Sequence, residues 1–140
     1  MMLALTPIVE QLRGAGYRNV AGLLEFAVQR ETPRALPALF VVPMADGARP
    51  NELATGGHSQ KLTAGWSVFL VLDSARRDRD AIAEDLQREC TTIVTALAGW
   101  THPGGTGPVD YDGGRLASAD AGTIVWQLRF TSPYRFRKAS

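Results

Sequence analysis

The chain has a single cysteine, Cys90, so no disulfide can form within it and nothing suggests an oxidising compartment. Two histidines, His58 and His102, each lie among glycines, and no cysteine or carboxylate spacing beside them supplies a metal-ligand set. No apolar run approaches the roughly 20 residues that a membrane-spanning helix needs. The opening residues, MMLALTPIVEQLRG, carry neither a basic segment nor a small-residue cleavage motif, so no secretory leader is expected. Charge of neither sign dominates. With 15 Lys and Arg against 14 Asp and Glu, the whole-chain balance excludes a strongly basic or acidic protein. No internal repeat and no domain boundary is visible. These absences leave a soluble, intracellular protein with one domain, residues 1–140, large enough to bury a working core.

The strongest local signal lies in residues 60–73, QKLTAGWSVFLVLD. Leu62, Ala64, Trp66, Val68, Leu70 and Leu72 alternate with Thr63, Gly65, Ser67, Phe69 and Val71. Period-two alternation rich in β-branched and aromatic residues predicts a strand. The first set is wholly apolar and must face a core. The second becomes apolar only at Phe69 and Val71, which predicts a face covered at one end and open at the other. A long half-buried strand of this kind is expected at the centre of its sheet.

Upstream, Thr6-Pro7 reads as a helix cap followed by proline at the first helical position, or as part of a first turn that Leu3 and Leu5 extend upstream, with Ile8, Val9 and Leu12 as the apolar stripe and Gly14 and Gly16 as the stop. Asn19 offers a cap for a second helix over residues 19–30, although Gly22 lies inside it. Residues 38–42 of the segment LPALFVVP read as a buried strand entered and left through prolines, which lack the ladder N–H. Residues 44–59 are polar and glycine-rich, and are expected to form a long loop, functional or disordered.

After the central strand, Ile82, Leu86, Cys90, Ile93, Val94 and Leu97 recur at spacings of three and four, predicting a helix over residues 79–98 closed by Gly99. Residues 100–108, WTHPGGTGP, exclude regular structure. Residues 109–118 and 123–131 read as a hairpin around an Asp/Gly turn. Residues 132–140 read as a basic tail containing Arg135, Arg137 and Lys138. The order predicts an α+β fold: a mostly antiparallel sheet of about four strands with helices packed on one face.

Concentrated reactive chemistry is missing. Gly104-Gly105-Thr106-Gly107 lacks the Gly-Lys-Ser/Thr ending of a phosphate loop and runs into Pro108. Asp110 and Asp112 beside Gly113-Gly114 suit an exposed turn better than a cation site. Cys90 falls on a helix's apolar stripe, as a small hydrophobe would. A small α+β enzyme or binding module using His102 with Asp110 and Asp112 remains the alternative. The cationic group Arg76, Arg77 and Arg79 sits near a helix start, where the dipole disfavours it; it reads as a solvated loop or, more sharply, as a contact with an acidic neighbour.

The run LPALFVVP, a loop holding Asn51, Gly56 and Gln60, the long alternating strand, the helix ending Leu97-Ala98-Gly99-Trp100, the turn Tyr111-Asp112-Gly113-Gly114-Arg115-Leu116 and the closing strand Ile124-Val125-Trp126-Gln127-Leu128-Arg129-Phe130 occur together and in this order. The pattern resembles the tail terminator proteins of tailed bacteriophages and prophages over nearly the whole chain, least over residues 1–35. The resemblance implies a structural protein without cofactor or catalytic set. Such proteins assemble as a ring, commonly of six subunits, on the head-proximal end of the tail tube, where they stop polymerisation and join the head connector. The implied partners are further copies of the chain, the tail tube protein and a head-completion protein, with no membrane and no sequence-specific nucleic acid. The implied setting is the host cytoplasm during assembly and then the virion tail. Another neck or head-completion protein is the neighbouring alternative. A ring built from one kind of subunit needs two unlike complementary faces. The candidate contact residues are Arg49, Asn51, Glu52, His58 and Gln60 in and beside the long loop, Arg76, Arg77 and Arg79 before the long helix, and Arg135, Arg137 and Lys138 in the tail.

Overall fold

The structure, a computed structural model, describes residues 1–22, 36–74, 78–120 and 122–139, without the side chain of Arg79. In chain order the elements are α1 (Thr6–Gly14), β1 (Val20–Ala21), β2 (Ala38–Ala48), β3 (His58–Asp73), α2 (Arg79–Leu97), β4 (Asp110–Ala119) and β5 (Thr123–Lys138). The five strands form one sheet in the order β1-β2-β3-β5-β4. All neighbours are antiparallel except β1, which runs parallel to β2. The fold is α+β, as expected, with β3 at the centre.

The period-two alternation of β3 does what its composition requires. Leu62, Ala64, Trp66, Val68, Leu70 and Leu72 join Leu39 and Val41 of β2 and Leu128, Phe130 and Tyr134 of β5 in one buried cluster. Both described helices cover it, α1 through Ile8 and Leu12 and α2 through Ile93 and Leu97. Trp66 stacks on Phe130 at 4.9 Å between ring centres, and its indole N–H donates to Ser132 Oγ at 2.9 Å. The opposite face holds a second apolar cluster only at one end, from Ala38, Phe40, Val42, Phe69 and Val71. Fully burying a side chain of this size is worth about 1.5–3 kcal/mol, so the stripe on the helix side dominates the fold.

Several expectations are corrected. The segment after residue 42 does not leave the sheet at Pro43. Pro43 pairs opposite Trp66, and β2 continues through Ala48 after a bulge at Met44. A bulge is where a strand tolerates proline and a missing N–H. The loop therefore spans residues 49–57 only. The basic tail is not a tail: β5 runs unbroken through Lys138, paired residue by residue with β3 down to His58. Alternation of Ser132, Tyr134 and Phe136 with Pro133, Arg135 and Arg137 sustains it. Thr6 is inside α1, whose N-cap is Leu5 with no side-chain capping bond. Val20 and Ala21, expected in a helix, form β1, and the preceding Asn19 carbonyl accepts from the Leu39 N–H at 2.9 Å. This raises the strand number to five. The rest of the predicted helix, residues 23–30, lies outside the described residues.

Candidate functional site

Because β3 and β5 are each 16 residues long, they outrun their neighbours. β2 reaches β3 no further than Leu62, and β4 reaches β5 no further than Thr131. Beyond these points His58 to Lys61 and Arg135 to Lys138 continue as a two-stranded arm. The connection at 49–57 lies along its β3 edge. Arg49 N–H donates to the Lys61 carbonyl and Glu52 N–H to the Ser59 carbonyl, each at 2.9 Å. Asn51 ties the loop down: its Oδ1 accepts from the N–H groups of Ser59 and Leu53, at 2.9 and 3.1 Å.

Eight of the eleven candidate contact residues converge here. Arg135 donates to Ser59 Oγ at 2.7 Å and to Glu52 Oε2 at 3.2 Å, and Lys61 lies 3.8 Å from Glu52. The Arg135 bond holds the Glu52 carboxyl below the usual carboxylate range, with the nearby charges of Arg135, Lys61 and Arg137 adding to it. Gln60 donates to the Arg49 carbonyl at 2.8 Å and pairs with the His58 ring, which packs edge-on near Phe136. Glu52, Leu53, His58, Ser59, Arg135, Arg137 and Lys138 line an open depression of about 440 Å³. Arg49, Lys61, Arg137 and Lys138 are exposed around it. Three cations, Arg135, Lys61 and Arg137, thus act on one carboxylate, a concentration hidden in the net charge of the chain. No clue in the sequence joined the loop to the tail, because the link is the register of two strands more than 70 residues apart.

The described member of the second candidate group, Arg79, is not brought to this place. Arg79 opens α2, beyond the far end of β3, and Arg76 and Arg77 lie outside the described residues. The N-cap of α2 is Asp78, whose carboxylate accepts from Ala81 N–H at 2.8 Å. Asp78, Asp80, Ala81 and Glu84 line another open depression among the described residues.

The alternative chemical centre does not assemble. His102 is buried, with Nε2 donating to the Ala4 carbonyl and Nδ1 accepting from the Gly104 N–H, both at 2.8 Å. Both ring nitrogens are thereby committed to backbone, which locks residues 100–108 against the start of the chain. Asp110 and Asp112 sit on β4 and not in a turn. The N–H groups of Gly105 and Thr106 go to the carbonyls of His102 and Pro133, leaving no phosphate cradle there. Cys90 is half-buried against the core, and burial raises its thiol above the ordinary range. Among the described residues no three His, Cys, Asp or Glu side chains cluster as a metal site, and no helix is long and apolar enough to cross a membrane.

What these residues define is an α+β structural fold carrying charged surfaces for contact. The same fold is seen in a chain from a solved structure described as the virion of a native gene transfer agent particle. The two are 12% identical, with a TM-score of 0.61 over 96% of each chain. The chain belongs to the phage tail terminator protein family, whose profile it matches over residues 1–140. It is thus a structural protein of the phage tail. No curated protein matches it.

Proposed function

We propose that this chain caps a tail tube: it assembles as a ring, most simply of six copies, at the head-proximal end of the tube, stops polymerisation there and presents the joint to the head connector. It performs no catalysis and needs no cofactor. The observation that carries this reading is the family match over the whole chain. The arm supports it, because a two-stranded projection with paired backbone and exposed charge is suited to reaching a neighbouring subunit. Arg49, Asn51, Glu52, His58, Gln60, Arg135, Arg137 and Lys138 form one contact face. The unlike face that such a ring requires includes Arg79, which opens α2, with Arg76 and Arg77, which lie outside the described residues, assigned to it from the sequence alone. The 16 residue pairs between β3 and β5 make this ladder about 50 Å long, at roughly 3.3 Å per residue.

The test is absolute mass by light scattering across a concentration series, followed by binding to tail tubes. The expected result is a discrete species of six times the 15.1 kDa chain, together with decoration of one tube end. A chain that stays monomeric at all concentrations and leaves tube ends bare would refute the proposal. Binding to the portal complex in preference to the tube would assign it to head completion instead.

A further inference from the structure

The outer face of the sheet, away from the helices, carries a second charged feature well apart from the arm's tip. Two bulges interrupt the strands on either side of the Trp66–Phe130 pair. One is at Met44 in β2 and the other at Asp112 in β4, between the paired residues Tyr111 and Gly113. Between them lies a depression of about 370 Å³, whose lining includes Met44, Gly65, Ser67, Arg115, Gln127 and Arg129. Gly65 leaves the floor as bare backbone. Gly113, at φ +104°, leaves room for the Arg129 guanidinium, which would lie 3.4 Å from any Cβ placed there.

Both arginines are held, and both by neutral acceptors. Arg115 Nε donates to Gln127 Oε1 at 2.9 Å, and Gln127 Nε2 donates to Ser67 Oγ at 2.9 Å. Gln127 is 2% exposed and Ser67 fully buried, so this amide has one orientation to offer. Arg129 Nη2 donates to the Asp112 carbonyl at 3.1 Å. Neither guanidinium forms an ion pair with a carboxylate among the described residues, and the Asp112 carboxylate shares the rim without reaching that distance. A neutral acceptor fixes a guanidinium without cancelling its charge. The remaining donors stay available in a set direction, the arrangement that favours bidentate capture of carboxylate. Exposed Met44 adds an adaptable apolar wall. Arginine and methionine are both enriched where proteins meet, and the two aromatic residues of the lining, Trp66 and Phe130, are buried and offer no open face for base stacking.

We propose that this depression is a docking site for an acidic segment of a partner protein, one that presents two carboxylates flanking an apolar side chain. Arg115 and Arg129 bind the carboxylates, Met44 meets the apolar group, and Gln127 is a positioning residue. The inference does not depend on ring formation.

The test follows the arginine side-chain Nε–H signals by NMR while the full chain is titrated with acetylated, amidated Glu-Leu-Glu. Saturable shifts at Arg115 and Arg129, with Arg13 and Arg88 unmoved, are expected. Arg129→Ala should weaken binding tenfold or more. Gln127→Leu retains both charges and should still weaken binding several-fold, whereas Asp112→Asn should tighten it. Unsaturable shifts spread equally over all arginines would overturn the proposal. So would unchanged affinity in folded Arg129→Ala, or a short DNA duplex that binds these two arginines more tightly than the peptide. Should Gln127→Leu fail to fold, Arg129→Ala and Asp112→Asn, both exposed positions, carry the test.

Discussion

The two faces of the β3–β5 ladder are made by alternate residues of the same two strands and do opposite things. On the helix side, Leu62 to Leu72 and Leu128 to Tyr134 bury one continuous apolar sheet under α1 and α2. On the outer side the apolar part ends at Phe69 and Val71, and beyond it come Ser67, Gln127, Arg129, Lys61, Arg135 and Arg137. The difference teaches that one strand pair can supply stability and contact chemistry independently, because period two assigns each residue to only one role. Substitutions on the two faces should therefore separate into loss of fold and loss of binding.

The largest effect is expected on the helix side. Trp66→Ala removes a fully packed ring, its stacking on Phe130 and the partner of Ser132, and should cost about 3–5 kcal/mol in urea unfolding. Less severe is Gly114→Ala. Its Cβ would stand 2.7 Å from Trp126 Nε1, 2.8 Å from Tyr111 Oη and 3.1 Å from the Gln127 carbonyl, so both side chains must move. About 1–3 kcal/mol of overpacking is expected, read as a lowered thermal midpoint. Asp78→Ala, which deletes the α2 cap, should cost about 1 kcal/mol by the same measurement. On the outer face, Arg137→Ala should change stability by less than about 0.5 kcal/mol while reducing assembly or tube binding. A large drop in its unfolding midpoint would erase the distinction between the faces.

The smallest effect concerns acid. The Glu52 carboxyl is depressed in the folded chain, so its contribution is present above the ordinary carboxylate range and fades as pH falls through the folded value. Glu52→Gln should slightly lower the neutral plateau of a stability profile and flatten its acid limb, the two proteins converging at low pH. A steeper acid limb in the variant would contradict the arrangement at the arm.

The alternation of β3, the apolar stripe of α2 and the β4–β5 hairpin were legible because local period states them directly. So was the half-covered outer face, which Phe69 and Val71 announced. The extension of β2 past Pro43 was not. A proline and a glycine-rich sequence look like a loop unless the pairing partner Gly65–Leu62 is already known. The arm was hidden for a related reason: Arg135 and Arg137 resemble a frayed basic end until β3 supplies the other half of the ladder. The orienting pair Ser67 and Gln127 was also out of reach, since two polar residues in apolar strands gain meaning only from their register.

The bulge at Met44 has one more consequence, best expressed as parity. Strict alternation from Val42 would send Asp46 to the outer face. The extra residue reverses odd and even, and Asp46 instead pairs opposite Ala64 and accepts from the buried Tyr134 hydroxyl at 2.9 Å. Deleting Met44 would leave that facing intact, because Ala45 would follow Pro43 in regular alternation opposite Gly65. It is pairing Met44 into the ladder with no bulge that would invert every β2 residue that follows, turning Asp46 away from the Tyr134 hydroxyl and onto the outer face of Arg115 and Arg129. In this strand the pairing of a single residue decides which face the acid belongs to.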